Sequence, residues 1–326
     1  MWNYAKRLIV AVSVLSVCSI AAAQNPDKAV AALTEKPIEL IVPWGTGGGS
    51  DQMARALAHA MEKQQAGLTV AVLNKPGGNG TLGLSYALSQ PANGRTLALV
   101  TNDFLINRIS GAASIKPEDF DYVGRIVADV EMLFARSDDG RFGSFAAYLK
   151  EAKARPGAIT IATAGANGVE QLAMTLINKA LGIEVKWLPF DKPAERVAAF
   201  LGGHVDLMIE EPSDMKQYIA EGKMKPLVQM TEKRTANFPD TPTAKEVGAD
   251  VTLGLWRGIA IKRGADPALV AALERIVAKA VTDPGFVNDY VRQRSLDIRP
   301  GYLSSADFKE SVAGEYQSME HVLKGK

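Results

Sequence analysis

Apolar residues beyond position 37 fall into short runs that alternate with longer stretches where they recur every three to four positions. Residues 38–42 form a partly β-branched run ended by Pro43, and after a glycine-rich turn Ala54, Leu57, Ala58 and Met61 return at helical spacing. The segment reads as strand, turn and helix. The unit repeats as a strand at 69–73, a turn at 74–80 and a helix at 81–89, and a third strand is expected at 96–100. A middle block has the same rhythm: helix 144–154, strand 159–162, helix 169–181, strand 185–188, helix 193–201 and strand 205–209. Strands at 227–230 and 258–261 and helices at 267–281, 286–293 and 306–323 complete the pattern, with Pro267 near the first turn of its helix. Strands separated by helices predict an α/β fold with mostly parallel sheets flanked by helices. Ligands of such sheets collect at the carboxyl ends of the strands.

Residues 123–130 and 251–256 flank the middle block and are expected to be two hinge strands, through which the chain crosses into a second lobe and returns. Two crossings allow closure by small backbone rotations. The expected division is a signal peptide at 1–23, a first lobe at 24–126 plus 255–326, and a second lobe at 127–254, with the ligand cleft between the lobes. No fixed-period repeat or low-complexity tract suggests a solenoid.

Two glycine-rich turns carry the candidate chemistry. Trp44-Gly45-Thr46-Gly47-Gly48-Gly49-Ser50-Asp51 and Thr163-Ala164-Gly165-Ala166-Asn167-Gly168 each follow a strand and open a helix. Unpaired backbone amides and the positive end of a helix dipole then face outward at both, and together they form one anion pocket suited to a carboxylate. The candidate contacts are Trp44, Gly47, Gly48, Gly49, Ser50, Asp51, Thr101, Thr163, Ala164, Gly165, Asn167, Phe190 and Glu210. Ser50 and Asp51 also suit helix N-capping, and Asp51 serves equally as a cap or as a hold on water or a cationic substituent of the ligand. Trp44 and Phe190 either line the cleft or pack, with core the better reading of Phe190. Glu211 reads as part of a surface turn before Pro212.

Other chemistries lack support. Serine stands where a dinucleotide fingerprint needs its third glycine, the next strand ends in Leu73-Asn74-Lys75 without an acid, and no Lys-Ser/Thr follows for a P-loop. His59, His204 and His321 have no metal-ligand spacing, and no zinc-protease, redox or serine-hydrolase motif occurs. No metal, cofactor or catalytic residue is therefore expected. A triad assembled from distant segments remains an alternative.

The N-terminus places the protein. Lys6 and Arg7 precede the apolar stretch 8–17, and Ala21-Ala22-Ala23 supplies a cleavage site before Gln24, the layout of a secretory signal. The apolar stretch falls short of the ~20 residues of a membrane span. Cleavage removes the one cysteine, Cys18, and with it any disulfide or cysteine-ligated metal. A lipoprotein reading of Cys18 meets a bulky Val17 where a small residue is preferred. Losing Lys6 and Arg7 and no acid takes the formal charge from +1 to −1, and no basic block marks a nucleic-acid surface. Hydrophobic residues at 47% support a large interior.

The chain resembles the substrate-binding proteins of tripartite tricarboxylate transporters, the Bug family of periplasmic receptors. The resemblance rests on Val42-Pro43 followed by Gly47-Gly48-Gly49-Ser50-Asp51 and Ala54-Arg55; on Asn74-Lys75-Pro76-Gly77-Gly78-Asn79-Gly80; on Thr163-Ala164-Gly165; on Gly202-Gly203-His204-Val205-Asp206-Leu207-Met208; and on Pro242-Thr243 with Glu246. It implies a type II periplasmic binding protein, a two-lobed Venus flytrap that holds a small carboxylated molecule between the two turns, often partly through water. It also implies delivery of this ligand to integral membrane transporter subunits or to a sensor protein, with no bond made or broken. A monomer is expected. The chain departs from the family at Asp191 and Lys192, after Phe190, and at Gln171, where histidine is frequent; both segments border the expected cleft. A secreted hydrolase or transferase on a similar fold and a receptor that only signals remain the alternatives.

Overall fold

The computed structural model describes residues 26–296 and 301–324. The expected signal peptide, Cys18 and the cleavage site lie outside the described residues. Among the described residues no helix is long and apolar enough to cross a membrane.

Two five-stranded sheets, each sandwiched between helices, make up the molecule. The first takes its strands from β1 (Ile38–Val42), β2 (Val70–Asn74), β3 (Thr96–Thr101), β4 (Phe120–Ala128) and β10 (Trp256–Lys262), in the order β2-β1-β3-β10-β4. β1 runs parallel to β2 and β3, whereas β10 runs antiparallel to β3 and β4, so the sheet is mixed. The second is built the same way from β5 (Met132–Arg136), β6 (Thr160–Ala164), β7 (Lys186–Phe190), β8 (Leu207–Glu210) and β9 (Met224–Gln229), in the order β7-β6-β8-β5-β9. In it β5 is the antiparallel member, between β8 and β9.

Successive strand side chains point to opposite faces, so a strand covered on both sides must be apolar at odd and even positions alike. Ile38, Leu40 and Val42 of β1 enter one core layer with Leu97, Leu99, Ile259 and Ile261, while Ile41, Ala98, Val100 and Ala260 enter the other. The first layer is covered by α2 (Gly49–Gln64), through Met53, Leu57 and Met61, and by α9 (Pro267–Ala280), through Leu269, Leu273 and Val277. The second is covered by α3 (Thr81–Ser89), α4 (Asp103–Ser110) and α10 (Ser305–Lys324), where Phe308 meets Tyr122 and Trp256 edge-on at ring separations of 5.1 and 5.0 Å. The other sheet divides likewise: Leu133, Ile161, Leu207 and Ile209 face α5 (Phe145–Ala154) and α6 (Val169–Leu181). Met132, Phe134, Ala162 and Met208 face α7 (Pro193–Leu201) and α8 (Pro212–Ala220), through Phe200 and Met215.

The chain passes from one sheet to the other at Asp129–Glu131 and again between β9 and β10, and these crossings are joined: the Asp129 amide donates to the Leu255 carbonyl at 2.7 Å and the Met230 amide to the Glu131 carbonyl at 3.0 Å. The strand expected at 251–256 begins only at Trp256, because the residues before it run without ladder bonds. Helices α1 (Pro26–Thr34), α4 and α8 and strand β5 are not among the elements the sequence pattern predicts, and the helix expected at 286–293 is a π-helix over Phe286–Arg292.

Candidate functional site

The first glycine turn follows β1, and its shape is set by a carboxylate. Gly47 sits at φ 85°, a left-handed conformation that costs glycine little, and its amide donates to Asp51 Oδ2 at 2.9 Å. Asp51 is buried in the first turn of α2 and also pairs with Arg55 at 2.9 Å, which with the Gly47 amide holds it below the usual carboxylate range against the pull of burial. The N-cap of α2 is Gly48, in extended backbone, and no side chain caps it. Ser50 and Asp51 are therefore first-turn residues rather than caps, and the mouth of α2 keeps its dipole and amides for something outside the helix.

The second turn is different. Asp103, at the start of α4 in the first sheet's half, accepts a 2.8 Å hydrogen bond from the Val169 amide and so caps α6 from across the seam. Glu170 accepts from the Ala164 amide at 2.5 Å, and the Thr163 hydroxyl donates to the Gly165 carbonyl at 2.9 Å. The protein's own carboxylates and carbonyls thus engage the second turn. Both turns are expected to share one anion; in the structure α6 is capped by Asp103, whereas no side chain caps α2.

The turns meet across the seam. A Cβ on Gly45 would lie 3.1 Å from the Asp191 carbonyl, one on Gly48 3.0 Å from Pro193, and one on Gly49 2.5 Å from both Arg257 and Asp214. A cavity of about 50 Å³ between them is lined by Trp44, Gly45, Gly48, Gly49 and Ser50 on one side and by Ala164, Val169, Phe190 and Pro193 on the other. Leu255 apart, its remaining walls are charged.

Arg257, on β10, donates to Ser50 Oγ at 3.2 Å and pairs with Glu211 at 2.9 Å; both ionic partners are almost wholly buried. Arg196 of α7 pairs with Glu170 at 3.4 Å and closely with Glu210. Asp214 of α8 pairs with Arg294, which also donates to Gln52, and Ser213 donates to Asp129. Burial pushes Glu170 up to about 8 and Asp129 up to about 6, with Glu211 adding to both. Burial likewise drives Glu210 and Glu131 well above the usual carboxylate range. Glu211 goes the other way: burial raises it, but the Arg257 guanidinium together with a hydrogen bond with Glu210 and the Arg196 charge brings it to about 2. The pocket is thus a chemically divided box, with an amide mouth and a guanidinium on one side and carboxylates on the other.

Of the residues singled out in the sequence, Trp44, Gly48, Gly49, Ser50, Ala164, Phe190 and Glu210 line this cavity. Gly47 faces a neighbouring groove, and Asp51 shapes the turn from behind. Thr101 is buried and donates to Asp103 at 2.8 Å, Thr163 is buried behind the turn, and Asn167 lies in an outer groove with Asn79. Gly165 packs against Asn79, where a Cβ would approach its Oδ1 to 2.9 Å, and does not line the cavity. Glu211, expected at a surface turn, is 2% exposed because the chain bends inward to meet Arg257. Asp103, Glu170, Arg196, Asp214 and Arg257 also line the cavity and were not foreseen. Arg257 had a signal: a charge inside the run Leu255 to Ile261, where a core strand tolerates one only if it is paired.

Comparison with known proteins agrees with this architecture. The family model described as "Tripartite tricarboxylate transporter family receptor" matches residues 53–324. The UPF0065 protein in the gbd 5' region of Cupriavidus necator is 28% identical over 306 residues, covering 93% of this chain and 90% of that protein. Among solved structures, MatC from Rhodopseudomonas palustris with bound malate is 24% identical, with a TM-score of 0.78 over 88% of this chain and 98% of that one. An R. palustris protein with adipate is also 24% identical, with a TM-score of 0.81 over 89% of this chain and 97% of that one. At that identity the two structures speak for the fold. Two sheet-and-helix halves that meet over a buried pocket, together with a family match spanning most of the chain, identify this protein as a member of the tripartite tricarboxylate transporter receptor family.

Proposed function

We propose that this chain is a periplasmic receptor that captures one small carboxylated organic acid between two lobes, residues 24–126 plus 255–326 and residues 127–254, and delivers it unchanged to a membrane transporter. The observation that carries the reading is the mouth of α2: Gly48, Gly49 and Ser50 line a buried cavity, no side chain caps the helix, and Arg257 stands beside Ser50. Such a mouth stabilises an anion through amide donors and the dipole, and a neighbouring guanidinium adds a charge-assisted donor. Trp44 and Phe190 supply apolar surface for the carbon skeleton. The malate and adipate held by two proteins of the same fold are of the chemical class the reading requires. The role in this reading is binding and closure, with no bond made or broken.

A panel of small organic acids, tested by thermal shift and calorimetry on protein purified without refolding, decides the reading. A ligand that binds the native state raises its melting temperature in proportion to ln(1 + [L]/Kd). The reading expects at least one acid to bind and a Ser50→Ala variant, which folds normally, to bind it several-fold more weakly, about 1 kcal/mol for one hydrogen bond. Silence from every acid alongside binding of a neutral sugar overturns it.

A further inference from the structure

Glu131 stands at the joint of the molecule. It lies in the first crossing between the two sheets, and its carbonyl accepts the Met230 amide of the return crossing at 3.0 Å. Its side chain is fully buried, and neither carboxylate oxygen has a hydrogen-bond partner. Asp129, two residues earlier in the same crossing, is served differently: Ser213 donates to its Oδ2, and the Val130 amide to its Oδ1 at 2.8 Å. The groups around Glu131 are mostly acidic. Glu170 of α6 and Glu211 ahead of α8 face it from the second sheet's half, Asp103 of α4 from the first, and Asp129 from its own crossing. Positive charge reaches it from Arg196 of α7, already paired with Glu170 and Glu210, while Arg257 of β10 is engaged by Glu211 and Ser50. An ionised carboxylate without donors is strongly destabilising in such a place, and burial with these like charges drives Glu131 well above the usual carboxylate range. Glu131 does not line the cavity, so a proton, rather than anything held in the cleft, neutralises it.

We propose that Glu131 is a proton latch at the hinge: the two halves close with its carboxyl protonated, and its ionisation drives them apart. The reason lies in what closure changes. The meeting of the halves brings Asp103 against the start of α6, where it accepts from the Val169 amide, and excludes water from the seam. Parting them withdraws the Asp103 charge and lets water approach the crossing, so the open arrangement favours the ionised form and the closed one the neutral form. Linkage is reciprocal. A group whose pKa is higher closed than open takes up a proton on closing, supports closure at acid pH, and withdraws that support as pH rises through its closed-form value. Whatever the cleft holds is then gripped more loosely as pH rises.

The latch acts in the ligand-free protein, so its test needs no ligand and stands apart from the receptor reading. Hydrogen exchange at the Val169 amide, whose acceptor Asp103 belongs to the other half, reads the closed fraction, and small-angle scattering reads the separation of the halves. Both would be followed at constant ionic strength from about pH 5 to about pH 9, where protection of that amide, corrected for intrinsic exchange, should fall by up to about tenfold per pH unit for one linked proton. The radius of gyration should rise over the same interval. Glu131→Gln, neutral at every pH, should lose the larger part of both slopes. Should that variant fail to fold, Glu131→Met carries the same comparison. Protection and scattering of the wild type that do not change with pH overturn the inference. A Glu131 variant that keeps the larger part of the slopes also overturns it, and would assign the proton to Glu170 instead.

Discussion

Arg257 shows how one side chain joins the two halves of the molecule. It leaves β10, bonds Ser50 at the mouth of α2, and ends on Glu211 in the other half, all three groups buried. Truncation to alanine would strand Glu211 without its cation in a site that already crowds Glu210 and Asp129. Breaking a buried pair in this way costs ~3–5 kcal/mol. Chemical denaturation of Arg257→Ala should show a loss of that order, and an unchanged midpoint would contradict the pairing. Gly49 makes a related point through space rather than charge. A Cβ there would sit 2.5 Å from the Arg257 guanidinium and from the Asp214 carboxylate, groups tied into ion pairs that cannot simply swing away. Gly49→Ala should keep the far-ultraviolet spectrum of the wild type and bind its acid at least about tenfold more weakly, in line with overpacking costs of 1–3 kcal/mol. Undiminished affinity would show that the turn is slack. The glycines of this turn were legible in the sequence because they lie together between a strand and a helix. Arg196 and Glu170 were not, since a charged residue on an amphipathic helix looks the same whether it faces water or a partner charge on a distant segment.

The cap of α6 belongs to another helix. Asp103 starts α4 on the first sheet's half and takes the Val169 amide of the second, so it acts as a latch between elements some sixty positions apart. Losing a helix cap costs ~0.5–2 kcal/mol, here charged to the closed arrangement of the two halves and not to either half alone. Small-angle scattering of Asp103→Ala should therefore give a larger radius of gyration than wild type at equal melting temperature; identical scattering would mean that the latch is dispensable. Helix α10 is held on the first sheet both by polar bonds, Glu315 accepting from Asn102 and from the Trp256 ring N–H, and by apolar packing. Phe308 fills the angle between Tyr122 and Trp256, and Phe308→Ala should cost ~3–5 kcal/mol in denaturant. The helices starting at Thr81, Val169 and Pro193 fall where the sequence pattern puts them, because a glycine turn or proline marks each start. Helix α4 escaped notice because Asp103 to Ser110 follows β3 with no turn signal and is too short to show a period. Helix α8 escaped because Pro212 was read as closing a surface turn, although proline at the first helical position is a common opening.

Closure of the two halves buries ionisable groups, so stability depends on pH in a direction the site fixes. Glu170 faces Arg196, Glu211, Asp103 and the Ala164 amide, and burial raises it to about 8; Asp129 is raised to about 6. Between the ordinary carboxylate range and those values the folded protein holds protons that the unfolded chain has released. The contribution is therefore complete at acid pH near the unfolded pKa and is lost as pH rises through about 6 and then about 8. Glu211, lowered to about 2, works oppositely: its contribution is present above the ordinary range and disappears only as pH falls toward 2. At constant ionic strength the melting temperature should fall from about pH 5 to about pH 8, and Glu170→Gln should flatten that slope. A melting temperature that climbs over this interval would contradict the assignment. The two-sheet α/β plan was readable from period alone, since apolar positions on both strand faces demand cover on both sides. The closed seam was not, because its contacts join residues far apart in sequence.

A crystal structure of the protein with the tightest-binding acid of the panel tests the central claim most directly. The account predicts the acid between the two sheets, with one carboxylate within hydrogen-bond distance of the Gly49 and Ser50 amides and of Arg257. An acid bound on an outer face, or one whose carboxylate turns instead toward Glu170 and Glu210, would contradict it.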